Sequence, residues 1–209
     1  MIKSSPNSRR QAIVDALVRA HESALQLCGT SLNRMPEYYM AMRVADYFAD
    51  NFLDFGYRLE PQVKRTFKKA HLWHEEAESL RADPDIRHNG RFDLVLYNNK
   101  RERPAHVIEF KRGAKLDSLR PDIKRLARVC FHAGHKSLET NYLVLTRKCP
   151  KGGSRLEKAK QVILEELDGI EGVSCKIIHS DPLTPFINRD YDTVADATFR
   201  IWVIEIKAL

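Results

Sequence analysis

The sequence RFDLVLY at residues 91–97, followed by VIEFK at residues 107–111, decides the fold of this chain. Both runs are apolar and rich in β-branched and aromatic residues, which predicts two strands. Alternate residues of a strand point to the same face, so Glu109 and Lys111 should project side by side. An acid and a lysine on an apolar strand are costly to bury unless they pair or bind something. With Asp93 at the start of the neighbouring strand, two carboxylates and an ammonium can converge, which suits a magnesium ion and a water directed at a phosphodiester.

The chain after Lys111 alternates helix and strand patterns. The apolar positions of residues 116–131 recur at gaps of four, three and four, which indicates an amphipathic helix: Leu119, Ile123, Leu126 and Cys130. Strands are predicted over residues 142–146 and 173–179. Between them a helix is predicted after Gly152-Gly153-Ser154, with four residues on one side: Leu156, Ala159, Ile163 and Leu167. This order predicts an α/β sheet with parallel central strands, in which ligand sites gather at strand ends.

The chain before residue 91 begins with helix patterns. Residues 8–27 have the spacing of an amphipathic helix, so we interpret residues 1–34 as an N-terminal helical extension of a single compact domain at 35–209. A second helix is predicted from Pro36 to about Leu53, because proline is favoured in the first turn. Residues 59–67 are predicted to form the first strand, and residues 71–89 a polar connection.

Glu37 is the acid in the first turn of that second helix. It shares a stripe with Ala41, Val44 and Phe48, so we expect its side chain to point toward the core. Two interpretations remain open. Either Glu37 adds a carboxylate to the candidate metal site, or it only complements the helix dipole.

The trio Asp93, Glu109 and Lys111 resembles the signature of the PD-(D/E)xK nuclease superfamily. The resemblance covers about residues 35–179, with Phe92 in place of the proline that often precedes the aspartate. It implies a restriction-endonuclease-like αβββαβ core with a mixed central sheet flanked by helices. To this core the chain adds an N-terminal helix and a C-terminal strand.

The resemblance also implies a function and a set of ligands. Asp93 and Glu109, with the carbonyl of Phe110 and Glu37 in addition, would hold Mg²⁺, for which Mn²⁺ could substitute. Lys111 would orient the attacking water or help to deprotonate it. The expected activity is magnesium-dependent hydrolysis of DNA, with RNA not excluded, by a homodimer where both strands of a duplex are cut. The alternatives are an inactive nuclease-fold module that binds nucleic acid or a protein, and a metal-dependent enzyme for another phosphate ester.

Two other motif matches compete with this assignment. Pro84-Asp85 spells the literal PD, but it lies in a turn-like, polar stretch, whereas Asp93 leads directly into an apolar strand. Glu205-Ile206-Lys207 repeats the E-x-K pattern after the strand predicted at residues 198–204. No further element follows it, so we expect an edge strand whose last charges are solvated.

The charge of the chain favours an anionic partner. The formal net charge is +7, and residues 100–128 contain ten basic and four acidic residues, a net of +6. Arg120, Lys124 and Arg128 form one stripe of the predicted helix that could follow a phosphate backbone, although any solvated helix face has such charges. Together with Arg112 and Lys115 they are the predicted nucleic-acid-binding residues.

The cysteines and the termini exclude other classes. Cys28, Cys130, Cys149 and Cys175 form no CxxC pair and have no zinc-ligand spacing. The sequence has no signal peptide and no run long enough for a membrane span, so we expect a cytoplasmic protein without a membrane partner.

Overall fold

A six-stranded mixed sheet forms the centre of the protein, with helices on both faces. The structure is a computed structural model that describes residues 4–73, 78–99, 102–113, 116–134, 137–149, 161, 163–165, 167 and 172–209. The strands are β1 (Phe55–Leu59), β2 (Leu94–Asn98), β3 (Arg103–Arg112), β4 (Thr140–Lys148), β5 (Val173–His179) and β6 (Phe199–Ala208). The helices are α1 (Pro6–Cys28), α2 (Glu37–Asn51), α3 (Val63–Lys69), α4 (Glu78–Ala82) and α5 (Leu116–Ala133), with 3₁₀ turns at Leu32–Arg34 and Pro84–Ile86.

The strand order in the sheet is β1-β2-β3-β4-β6-β5. Strands β1, β2 and β3 form an antiparallel meander, and α5 then crosses over so that β4 pairs parallel with β3. Strand β6 is antiparallel to both of its neighbours, β4 and β5. The predicted mixed sheet is therefore present, but β3 and β4 are its only parallel pair among the described strands.

Alternation along the strands divides the core into two layers. Leu94, Ile108 and Phe110 face α1 and α2, whereas Val95 and Val107 face α3 and α5. Glu109 and Lys111 have the parity of Val107 and therefore lie on the α5 face, as the spacing predicted. Helix α1 contributes to the first layer with a run of fully or almost fully buried residues: Ile13, Leu17, Ala20 and Ala24.

The prediction of a first strand over residues 59–67 was wrong. The strand is β1, at residues 55–59, and the chain continues into α3. The buried residues of that region are Val63, Thr66, Phe67 and Ala70, a spacing of three, one and three that belongs to a helix face.

The C-terminal strand is not the edge strand that we expected. Strand β6 lies inside the sheet between β4 and β5, and Glu205 is buried rather than solvated. Glu205 can be buried because Arg10 of α1 places a guanidinium nitrogen 2.5 Å from its Oε1 and so compensates the buried charge.

Two further predictions concern the helices. The predicted helix after Gly152-Gly153-Ser154 falls largely outside the described residues, although Ile163 and Leu167 are helical and buried in the α5 layer. No helix in the described part of the chain combines the length and the apolar character that crossing a membrane requires.

Candidate active site

Asp93 and Glu109 meet where β2 begins, opposite the second half of β3. At this end of the two strands Leu94 pairs with Ile108, so Asp93, which precedes Leu94, lies opposite Glu109, which follows Ile108. The main-chain N–H of Asp93 donates to Glu109 Oε2 at 3.4 Å, and the N–H of Phe110 donates to Asp93 Oδ2 at 2.7 Å. These two bonds fix both carboxylates at the same end of the two strands, as the sequence predicted.

Glu109 is 3% exposed, which makes its negative charge costly. Burial, and then the nearby charge of Asp93, raise the pKa of Glu109 well above its ordinary value. A cation beside the two carboxylates would relieve this repulsion.

Lys111 is surrounded by acids. Its Nζ lies 3.4 Å from Asp122 Oδ2 and 3.7 Å from Glu37 Oε2. Burial by itself lowers the pKa of Lys111, but Asp122, Glu37, Asp93 and Glu109 together raise it above its ordinary value of 10.5. The ammonium therefore keeps its proton at neutral pH, which favours the roles of orienting groups and stabilising negative charge over that of a base.

Two charged residues of α5 complete the cluster, and the sequence patterns had singled out neither. Arg125 donates to Glu109 Oε1 at 2.8 Å and to the Arg91 carbonyl at 2.9 Å, and its guanidinium lies over the Phe92 ring. Asp122 accepts from Arg87 at 3.3 Å besides contacting Lys111. The sequence feature that could have identified them is their position three and six residues after Leu119. This spacing places Asp122 and Arg125 along one edge of the apolar stripe of the helix.

Glu37 reaches the same cluster from the opposite layer. The first turn of α2 lies at the end of β3, so Glu37 Oε1 accepts from the main-chain N–H of Arg112 at 2.9 Å while Oε2 contacts Lys111. Glu37 therefore contacts the cluster through its ion pair with Lys111. Both open interpretations of Glu37 had left out this ion pair.

The donor set suits Mg²⁺ only with help from main-chain and water oxygens. Among the described residues, no three His, Cys, Asp or Glu side chains are grouped so that they could hold a metal. Mg²⁺ commonly uses only one or two carboxylates and keeps several waters, which Asp93 and Glu109 can satisfy. In an extended strand the N–H and C=O of one residue point to the same side, so the Phe110 carbonyl also faces the β2 side, where Asp93 lies.

Arg125 would compete for Glu109 with any metal bound at this site. Its guanidinium and the Glu109 carboxylate are both about 5% exposed and form a direct ion pair. A metal that used Glu109 Oε1 would have to displace this guanidinium, whereas one bound through the remaining carboxylate oxygens would leave it in place.

The predicted nucleic-acid-binding residues have different surroundings. Arg112 is exposed and donates to the Arg34 carbonyl at 2.9 Å, and Lys115 lies outside the described residues. Lys124 is exposed and Arg120 half-buried on α5. The guanidinium of Arg128 is 3.7 Å from Asp83, so the last member of the predicted stripe is ion-paired within the protein.

The two competing motifs stand apart from this cluster. Asp85 lies in the 3₁₀ turn Pro84–Ile86, where its main-chain N–H donates to Asp83 Oδ1. Glu205 has the parity of Val203, which belongs to the α1–α2 layer, and therefore lies on the opposite face of the sheet from Glu109. Of the acidic candidates in the three motif matches, only Asp93 and Glu109 contact each other.

Comparisons of this chain with protein-family models, with curated proteins and with solved structures found no match. The class that the structure defines is a mixed α/β protein with an open six-stranded sheet and flanking helices. The candidate site on that sheet is a pair of carboxylates, buried Glu109 and half-buried Asp93, with lysine and arginine neighbours.

Proposed function

We propose that this protein is a magnesium-dependent nuclease of the PD-(D/E)xK superfamily that hydrolyses DNA phosphodiester bonds. The observation that carries the proposal is the contact of Asp93 and Glu109 at one end of β2 and β3, with Lys111 on the same face. The element order α2-β1-β2-β3-α5-β4 supports it, because it follows the αβββαβ core expected of a restriction-endonuclease-like fold, with α3 and α4 inserted between β1 and β2.

Each residue has a role under this proposal. Asp93, Glu109 and the Phe110 carbonyl hold Mg²⁺, which when bound supplies a Lewis acid and a more acidic water. Lys111 is a fixed positive charge that stabilises the charge developing on the phosphate. Glu37 and Asp122 hold the Lys111 ammonium from two sides and so position it.

The test is cleavage of labelled single-stranded and duplex DNA, and of RNA, with and without Mg²⁺. Asp93→Asn and Glu109→Gln should reduce cleavage to the level of the metal-free protein. Asp85→Asn and Glu205→Gln are the matched controls, since each removes one carboxylate outside the cluster, and they should cleave like the original protein. Cleavage that survives in both Asp93→Asn and Glu109→Gln would contradict the proposal.

The ion pair between Arg125 and Glu109 favours a second candidate, a nuclease-fold module that binds nucleic acid without cutting it. In that case the guanidinium compensates Glu109 permanently and no metal is needed. Binding of DNA with no Mg²⁺-dependent cleavage under any condition tested would support this alternative.

A further inference from the structure

A cleft of about 750 Å³ opens at the carboxyl ends of the parallel strands β3 and β4. Its walls are formed by residues 33–34, 112–113, 146–149, 186–189 and 194–197. Ligand sites of open α/β sheets commonly lie at the carboxyl ends of parallel strands. The cleft lies at the same end of β3 as the candidate active site, because Arg112 in its wall donates its main-chain N–H to Glu37, which also contacts Lys111.

The cleft is strongly basic. Among the described residues, five cationic side chains line it against one acid, Asp196: Arg34, Arg112, Arg147, Lys148 and Arg189. Within the residues that the structure describes, none of these five cationic side chains forms a salt bridge with a carboxylate. Uncompensated like charges in a concave surface concentrate positive potential and attract anions.

Aromatic rings accompany the cations at two positions. The guanidinium of Arg34 lies over the Tyr191 ring at 4.7 Å, and Lys148 Nζ lies over the Phe186 ring at 4.9 Å. Tyr191 adjoins the wall residue Arg34 without itself lining the cleft, and it is 67% exposed, so this large aromatic side chain is accessible to a ligand. Cations that alternate with aromatic rings are the surface that tracks a phosphate backbone while bases stack.

Two polar atoms at the cleft lack partners within the described part of the protein. Thr146 is fully buried, and its Oγ1 has no hydrogen-bond partner among the described residues. The same holds for Nε of Arg34. Buried polar groups are rarely left unpaired, so each could be satisfied by a polar ligand or by water.

We propose that this cleft binds single-stranded nucleic acid and leads the strand along Arg112 to the end of β3. The inference rests on the proposed function, to which it adds the substrate class. The volume of the cleft lies in the range that encloses one drug-sized ligand, so it accommodates about two nucleotides and not a duplex.

The test is binding of a fluorescein-labelled oligothymidylate and of a duplex of equal length, measured by anisotropy in EDTA so that no cleavage occurs. Arg147→Ala combined with Lys148→Ala removes two charges from the cleft. The matched control is Lys176→Ala with Lys207→Ala, two exposed lysines on β5 and β6 outside the cleft. Lys207 pairs with Thr140 at the opposite end of β4.

We expect the cleft variant to bind the single strand at least about 10-fold more weakly, with the slope of log affinity against log salt reduced by about 1.4 for two lost phosphate contacts. The duplex should lose much less, and the control variant should bind both as the original protein does. Tyr191→Ala alters no charge, so it should weaken single-strand binding about 5-fold or more without changing the salt slope.

Three outcomes would overturn the inference. They are an unchanged affinity of both the cleft variant and Tyr191→Ala, an equal loss for duplex and single strand, or a thymidine monophosphate that binds as tightly as the oligonucleotide. Because the assay contains no metal, its result is independent of cleavage. A protein that binds single strands through the cleft but never cuts contradicts the proposed function and keeps this inference.

Discussion

Glu109 lies between two neighbours of opposite charge. Asp93 repels its carboxylate, and Arg125 attracts it at 2.8 Å. Taking a carboxylate out of water is costly, so removing the Arg125 cation should leave the desolvation penalty of Glu109 uncompensated. The site can therefore be probed through stability as well as through activity.

Arg125→Met should lower the free energy of unfolding by about 3 kcal/mol at pH 8, because Glu109 loses its buried counter-ion. The folded-state pKa of Glu109 is already raised above 4.5, so Glu109 keeps its proton to higher pH in the native state than in the unfolded state. The native state therefore loses stability as pH rises from the unfolded-state pKa of Glu109 to its folded-state pKa. Without Arg125 this loss increases, so the variant should be less destabilised at pH 5 than at pH 8. Urea denaturation at both pH values checks this.

The matched control for this prediction is Lys68→Met, which removes an exposed cation from α3. It should change stability little at either pH. An equal destabilisation of Arg125→Met at pH 5 and pH 8 would mean that Glu109 is not the partner that matters.

Lys111→Ala should reduce cleavage by about 100-fold, because a fixed positive charge is lost beside the reacting phosphate. Lys111→Arg should retain more activity. The folded-state pKa of Lys111 is raised, so the side chain keeps its charge up to about pH 10.5, and the stability that this shift contributes is lost only as pH rises through the folded-state pKa. The rate profile of the original protein should therefore show no limb from Lys111 between about pH 6 and 9. A basic limb in that range that disappears in Lys111→Arg would contradict this role.

At the scale of elements, α5 connects β3, which carries the candidate site, to the chain segment around the 3₁₀ turn at residues 84–86. Asp122 contacts Lys111 on β3 and Arg87 after the 3₁₀ turn at residues 84–86. Under the proposed function it would act through Lys111, which makes it a positioning residue.

Asp122→Asn should lower the pKa of Lys111, because Asp122 is the carboxylate that raises it most. We expect cleavage to fall by about 10-fold while DNA binding in Ca²⁺ is unchanged. Measuring both quantities separates positioning from a folding defect, and Asp85→Asn serves as the control. A loss of binding equal to the loss of cleavage would contradict the assignment.

Helix α1 and β6 are joined by the ion pair of Arg10 and Glu205, and Arg10 also contacts Asn7. Arg10→Met should cost about 3 kcal/mol of stability, since Glu205 would remain buried without a cation. Cleavage per folded molecule should not change, because the pair lies on the face opposite the candidate site. Denaturation and cleavage assays on the same sample check both statements. Inactive but folded Glu205→Gln protein would mean that the second E-x-K is the functional one.

Local pattern explains which parts of the fold and the site could be predicted. The alternation in β3 is a property of neighbouring residues, so it placed Glu109 and Lys111 on one face without knowledge of the fold. Helix α3 was mistaken for a strand because Val63 and Phe67 are β-branched and aromatic, which suits either element. The buried cations Arg10 and Arg125 could not be assigned, since their partners lie 195 and 16 residues away and only the packed sheet brings them together.

On the scale of the whole molecule, one sheet holds two regions of opposite character side by side. The cluster of Asp93, Glu109, Lys111 and Asp122 lies where β2 begins and β3 ends, and the basic cleft lies beyond the carboxyl ends of β3 and β4. Arg112 borders both, because its N–H contacts Glu37 and its side chain lines the cleft. This arrangement suits a phosphate backbone that is held by the cleft and cut at the carboxylates.

The measurement that tests this account most directly is a crystal structure of the protein soaked with Mn²⁺, with the anomalous signal used to locate the ion. We predict a peak about 2.0–2.2 Å from oxygens of both Asp93 and Glu109, near the Phe110 carbonyl. Glu109→Gln crystals soaked in the same way should lose the peak. A soaked crystal in which Arg125 still holds Glu109 and no manganese binds between the two carboxylates, with oligonucleotide present as well as without it, would contradict the assignment of a metal-dependent nuclease.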